Sequence, residues 1–324
     1  MDAIKLPEGI FTCPSLKSLV LNGDIYFFDA SEVLNVYLPS LKNLKVHSSL
    51  VDAEEILSGC PALESLDLDL EVCCLKIPKL LQMPRTLKSL TFSESGFYYA
   101  ETEEIYLREI YIPSLEYLNL RIETPEEVPI RVSVMNFPIM VEAHLSIEEW
   151  AENVDWMLEL LQALSETKVL ALKDRTTDCL FRAPGFAFPE FHRLVNLELD
   201  FPCFNKCFLL NFLHNCHLLE RLLINNSWFP TVELEYNGPI PPTMVPNCVT
   251  SHLKSFEYTG YQDSADECEF IACVLQRGLV LKTMTIHLKS NLNQATKDDI
   301  VMKLSAIPRG STICQLNFIG QNPK

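Results

Sequence analysis

Five side chains of the kinds that bind zinc, Cys203, Cys207, His214, Cys216 and His217, fall within fifteen residues of one another. Their order, Cys-x3-Cys-x6-His-x-Cys-His, matches no structural zinc arrangement. Cys216 also holds the place in its segment that Cys60 holds in an earlier one, so the expectation is buried thiols acting as small hydrophobes. The adjacent Cys73 and Cys74 would point to opposite faces of an extended segment and share no ligand. The carboxylates Asp67, Asp69, Glu198 and Asp200, with His47 and His144, are the side chains that general acid–base catalysis would need, but such chemistry also needs a pocket that excludes water. No nucleophile elbow, phosphate-binding glycine loop or metalloprotease motif occurs, and 10 glycines in 324 residues leave little material for phosphate cradles. The chain is therefore expected to be no enzyme and to hold no metal and no cofactor.

Composition narrows the partners. With 48% hydrophobic and 21% charged residues the chain can bury a continuous core. Its net charge of −17, with no compensating basic patch, predicts no nucleic-acid partner and no membrane surface. There is no run of eighteen apolar residues, and the segment Met1-Asp2-Ala3-Ile4-Lys5 lacks the pattern of a secretory signal. The 12 cysteines then read as reduced thiols of a cytoplasmic or nuclear protein.

The elements that position these side chains repeat. The pattern Leu-x-x-Leu-x-Leu, seen in Leu63, Leu66 and Leu68, recurs with its first apolar position at Leu16, Leu41, Leu63, Leu87, Leu115, Met140, Leu194, Leu219, Leu253 and Leu281. A weaker unit at Thr167, with Leu170 and Leu172, fills the widest interval, leaving separations of 22 to 34 residues, close to the period of leucine-rich repeats. The Leu-x-Leu alternation puts two apolar side chains on one side of a short strand and the intervening residues on the other. Helical segments are expected at Asp52–Leu57, with Asp52 as N-cap and Gly59 as stop, at Leu209–Leu213, and from about Glu148 to Ser165, where Trp150, Val154, Leu158, Leu161 and Leu164 keep a near-helical spacing. Prolines 14, 39, 61, 113 and 138 punctuate the repeats, and a proline-rich segment from Pro230 to Pro246 spans the 34-residue interval. The fold class is thus α/β: a leucine-rich-repeat solenoid with a curved parallel sheet on the concave side and helices and irregular segments on the convex side. Repeat phase places Lys45, His47, Asp67, Asp69, Tyr117, Asn119, Arg121, His144, Glu198, Asp200, Arg221 and Asn225 on the outward, concave face, where a protein partner would bind.

After residue 247 the text changes character. Cys248 and His252-Leu253-Lys254 precede an acidic helix carrying Glu269-Phe270, and a second helix near 297–306 precedes Cys314-Gln315-Leu316. This region resembles the FBD domain at the carboxyl end of plant F-box proteins with leucine-rich repeats. The resemblance implies a repeat region at 1–247 and an FBD-like domain at 248–324 that continues and caps the solenoid. It also implies that the repeats select a protein substrate while an N-terminal F-box docks on the adaptor of a cullin-based ubiquitin ligase. Residues 5–11 read as the link into the first repeat, so no F-box is expected in this chain and adaptor docking would lack its module. The expected function is a protein-binding module resembling the substrate-recognition part of an F-box protein of an SCF-type ubiquitin ligase. The alternative is a stand-alone structural or regulatory interaction protein with no ligase link.

Overall fold

The computed structural model describes residues 4–5, 7–23, 25–26, 36–48, 53–71, 83–95, 106–110, 112–123, 130–134, 137, 140–148, 155–181, 187–226 and 244–320. Asp52, Cys73, Cys74, Pro138, Trp150, Val154 and the prolines from Pro230 to Pro242 lie outside the described residues. Two compact units are present, Met1–Leu164 and Ser165–Lys324.

Each repeat in the first unit enters its strand through a turn. The N–H of the first apolar residue donates to the carbonyl three residues back: Leu41 to Leu38 at 3.1 Å, Leu63 to Cys60 at 3.3 Å, Leu115 to Ile112 at 3.1 Å. Pro39, Pro61 and Pro113 occupy the second position of these turns, where a φ fixed near −65° is the one required. The next two N–H groups then converge on a single carbonyl of the preceding repeat. Glu64 and Ser65 both donate to Lys42, each at 2.9 Å, and Lys88 and Ser89 both donate to Glu64. This backbone latch fixes register before any side chain is considered.

Strands β1 (Ser18–Asn22), β2 (Asn43–Ser48), β3 (Ser65–Glu71), β4 (Ser89–Ser95), β5 (Tyr117–Glu123) and β6 (Glu142–Glu148) follow in chain order, each parallel to the next. Leu44, Leu66, Leu90, Leu118 and Ala143 fall in one register row, and all are buried. The one-residue offset that separates faces of a strand therefore puts every repeat leucine inward. Two short parallel ladders accompany the sheet, Ile4–Lys5 with Ile25–Tyr26 and Tyr106–Ile110 with Ile130–Val134.

Helix α1 (Ala53–Ser58) is where repeat phase predicts it. Gly59 follows it for a reason other than a left-handed stop: a Cβ there would sit 2.3 Å from the Val36 carbonyl oxygen. The helix expected from Glu148 begins later, as α2 (Asp155–Ala163), because Glu148 still belongs to β6. Its buried side chains are Trp156, Met157, Leu160 and Leu161, while Leu158 is half-buried.

The second unit repeats the scheme with strands β7 (Val169–Lys173), β8 (Asn196–Phe201), β9 (Arg221–Asn226), β10 (Ser255–Tyr261), β11 (Thr283–Leu288) and β12 (Gln315–Ile319), again parallel in chain order. Thr167, the weakest first position, is fully buried with Leu170 and Leu172. The 34-residue interval does not interrupt the ladder, since Arg221–Asn225 pairs directly with Ser255–Thr259. Helices α3 (Thr176–Phe181), α4 (Lys206–His214), α5 (Asn247–Ser251), α6 (Ala265–Arg277) and α7 (Gln294–Ser305) alternate with these strands.

The core of this unit is aromatic. Phe208 of α4 lies 4.5 Å from Phe181, 5.0 Å from Phe188 and 5.8 Å from Phe201 in ring-centroid distance, and Phe270 of α6 lies 5.8 Å from Phe256. At Gly260 (φ +83°) the β10–β11 register shifts, and this bulge returns Tyr261 to the inner face beside Tyr258. A Cβ at Gly260 would meet the Asn226 carbonyl oxygen at 2.1 Å.

Candidate protein-binding face

The outward residues of each strand form rows across the ladder. In the first unit one row runs Val20, Lys45, Asp67, Thr91, Asn119, His144 and the next Asn22, His47, Asp69, Ser93, Arg121, Ser146. Lys45 Nζ donates to Asp67 Oδ2 at 2.7 Å, and His47 Nδ1 lies 2.6 Å from Asp69 Oδ2. Arg121 grips Glu123 Oε1 with both Nε (3.0 Å) and Nη2 (2.6 Å), and His144 Nε2 lies 2.6 Å from Glu142 Oε1. The Asp67 carboxylate beside Lys45 raises the lysine pKa. The Tyr117 ring lies tilted at 44° to the His144 ring with centroids 5.7 Å apart, and burial pushes its phenol pKa up. Asn119 is half-buried between Thr91 and His144 in its row.

The second unit places Glu198, Asp200, Arg221 and Asn225 on the outward side of β8 and β9. The Asn225 amide donates to both Asp200 Oδ1 (2.7 Å) and Glu198 Oε1 (3.3 Å), and the Asp174 N–H donates to Asp200 Oδ2 at 3.0 Å. Lys173 Nζ stands 3.6 Å from Glu198 Oε1. The same rows continue through Glu257 of β10 and His287 of β11, whose side chains meet at 2.8 Å. Repeat phase carried on from Leu253 would have found them, because Glu257 stands to Leu253 as Asp67 stands to Leu63. A hollow of about 340 Å³ opens on this face, lined by Val169, Ala171, Asn196, Glu198, Leu223 and Glu257 among others.

The carboxylates and imidazoles sit on an open face, side by side in ion pairs whose members are 20% to 60% exposed. Acid–base chemistry would need one of them in a desolvated pocket with a shifted pKa. The cysteine–histidine cluster does not converge either. Cys216 is fully buried at the turn before β9, its thiol donating to the Phe212 carbonyl at 3.3 Å, while Cys203 and His217 are exposed. Burial pushes the Cys216 thiol up, and that of Cys248 to about 12, so neither supplies thiolate near neutral pH. Among the described residues no group of three His, Cys, Asp or Glu side chains could hold a metal ion, and no helix is long and apolar enough to cross a membrane.

The residues singled out after position 247 hold the second unit together. The Cys248 thiol donates at 3.3 Å to the Leu213 carbonyl at the end of α4, which also accepts the Cys216 N–H at 3.2 Å. Lys254 bonds Glu220 at 2.5 Å, and Glu269 bonds Lys206, tying α6 to α4. Ser264 caps α6 in a capping box with Glu267. Glu267 is fully buried and also accepts from Tyr258 OH (2.7 Å) and Asn226 Nδ2 (2.8 Å) on Oε1 and from the Ser264 N–H (2.8 Å) on Oε2.

Two stretches of the chain match known family models. Residues 1–142 match the family model described as FBD-associated F-box protein At5g56370, LRR repeats, and residues 241–286 match the FBD model. The chain is 28% identical over 326 residues to the putative F-box/FBD/LRR-repeat protein At5g56810 of Arabidopsis thaliana, covering 97% of this chain and 70% of the relative. It is 28% identical over 334 residues to the putative FBD-associated F-box protein At5g56820 of the same plant, covering 97% and 69%. The F-box/FBD/LRR-repeat protein At2g26030, also of Arabidopsis thaliana, is 25% identical over 331 residues, covering 97% and 73%. No solved structure matches the chain. The chain thus carries both the leucine-rich repeats and the FBD domain after which these plant F-box/FBD/LRR-repeat proteins are named.

Proposed function

We propose that this chain is a protein-binding module that acts as the substrate-recognition part of an F-box protein in a ubiquitin ligase, with no chemistry of its own. The observation that supports it is the pair of outward rows in each unit: charged and polar side chains at fixed register, backed within each unit by buried apolar residues, with no desolvated acid, base or nucleophile among them. Lys45, His47, Asp67, Asp69, Tyr117, Asn119, Arg121 and His144 are the contact residues on the first unit, and Glu198, Asp200, Arg221 and Asn225 those on the second. Under this reading residues 1–247 are the repeat region, and residues 248–324 form an FBD-like domain that continues and caps it, in the cytoplasm or nucleus.

Proximity labelling tests this. Proteins enriched by the wild-type chain and lost with the combined Tyr117→Ala, Arg121→Ala and Asp200→Ala variant would support the face. Identical labelling by both would overturn it. The ligase link has its own readout, the half-life of an enriched partner. A half-life that lengthens when the chain is depleted supports ligase recognition, and one that does not change assigns the chain to a stand-alone interaction role.

A further inference from the structure

On the outward face of the second unit the register aligns Ala171, Glu198, Leu223 and Glu257 across four strands, with Val169, Asn196, Arg221 and Ser255 in the row beside them. These eight positions line the 340 Å³ hollow, a volume in the range of sites that hold one side chain or small ligand. Its floor is apolar, made by Val169, Ala171 and Leu223. Its sides are carboxylates: Glu198 and Glu257 flank Leu223 two strand spacings apart, about 10 Å.

Carboxylates border this hollow on two strands, Glu198 on β8 and Glu257 on β10. The Asp200 carboxylate is held by the Asn225 amide and the Asp174 N–H, both neutral donors. Lys173 Nζ lies 3.6 Å from Glu198 Oε1, and His287 Nε2 lies 2.8 Å from Glu257 Oε1. Asn196 Oδ1 is a buried acceptor with no hydrogen-bond partner. Carbonyl and carboxylate oxygens in an apolar-floored recess call for an occupant with a long alkyl stem and a donor-rich cationic head.

We infer that this hollow seats a lysine or arginine side chain of the bound protein, its stem on Leu223, Ala171 and Val169 and its head between Glu198 and Glu257. This rests on the protein-binding reading above and goes beyond it by naming the chemistry of the anchor. Arg221, at the first position of β9 in the row beside Leu223, adds a positive charge that turns the incoming head toward the two glutamates. The net charge of −17 adds long-range steering for a basic segment.

The test uses the whole chain and small probes. Methyl-detected NMR follows Leu223 and Val169 while n-butylguanidinium is titrated in, with n-butylurea as the neutral isostere and butyrate as the anion. The expected result is saturable shifts with a Kd on the order of 1–10 mM for the cation alone. The Glu198→Gln, Glu257→Gln double variant, checked for unchanged methyl spectra without probe, should weaken that binding about tenfold through loss of two charge-assisted contacts. Equal shifts with butylurea, preferential shifts with butyrate, no saturation, or an unaffected double variant would each overturn the anchor. Should the cation bind here while proximity labelling finds no face-dependent partner, the hollow stands and the protein-binding reading falls. A face-dependent partner whose binding ignores the double variant gives the reverse.

Discussion

The two units share one backbone scheme and differ on both sides of it. Inside the first unit the register row is aliphatic, Leu44, Leu66, Leu90 and Leu118. Inside the second, rings from α4 and α6 pack onto strand residues such as Phe201 and Phe256. Outside, the first unit matches charge with charge, Lys45 with Asp67 and Arg121 with Glu123, whereas the second adds to such pairs a neutral amide, Asn225, that bridges two carboxylates. The latch of paired N–H groups on one carbonyl occurs in both, at Lys42 and at Val195. Register is therefore set by the backbone, which leaves the inner and outer side chains free to differ without moving a strand.

Core truncation breaks this comparison hardest. Phe208→Ala should cost about 3–5 kcal/mol in denaturant unfolding, and Leu68→Ala, in the first unit and equally buried, about 2–5 kcal/mol. Aromatic pairs contribute beyond their buried area, so the Phe208 change should fall at the upper end. Equal costs would mean the rings act as bulk alone. Glu267→Gln sharpens the second unit's side: it keeps the shape but turns an acceptor into a donor facing N–H and O–H groups. A loss of about 1.5–3 kcal/mol is expected, read from the same transition. An unchanged midpoint would make the buried carboxylate dispensable.

The repeat period revealed the strands, their order and their outward rows, because a two-residue alternation carried by stacked turns is a local signal. Other features depended on contacts far apart in sequence. The start of α2 shifted because β6 runs to Glu148, which extends pairing with β5 and has no signature in the helix pattern. Tyr261 faces the core three residues after Tyr258 only because Gly260 makes a bulge, which breaks the alternation on which the sequence reading relied. The hollow was invisible for the same reason: Glu198, Leu223 and Glu257 are 25 and 34 residues apart and meet only across the ladder. The cysteine–histidine cluster is the converse case, close in sequence but split between core and solvent.

Alkaline pH probes the units through their buried acids. In the first unit burial raises Cys60 from 9.0 to about 11. In the second it raises Cys248 to about 12 and also pushes up Cys216, Tyr258 and Tyr261. A folded pKa above the unfolded one means the stabilisation is complete below the unfolded value and lost as pH rises towards the folded one. For Cys60 that window runs from near pH 9 to about 11 and for Cys248 from near pH 9 to about 12, while for the tyrosines it opens near pH 10. Within it each group removes about 1.4 kcal/mol per pH unit. Unfolding midpoints from pH 8 to 11 should therefore fall with a slope that Cys248→Ser reduces more than a surface cysteine change does. A slope unaffected by removing Cys248 would refute its burial.

The smallest effect is expected where the sequence looked most like a metal site. Cys203 and His217 are exposed at either end of a cluster whose centre, Cys216, donates its thiol to the Phe212 carbonyl and would have to break that bond and ionise to bind zinc. The double variant Cys203→Ser, His217→Ala should therefore shift stability by less than about 0.5 kcal/mol, as surface changes do. Dialysis against a chelator should leave the unfolding midpoint where it was. A structural zinc would behave otherwise, because its binding free energy is folding free energy, and its removal would destabilise the second unit as a whole. A midpoint that drops on chelation and recovers with one equivalent of zinc would show that α4 and the turn after it rearrange around the ion, and would replace the buried-thiol account of Cys216.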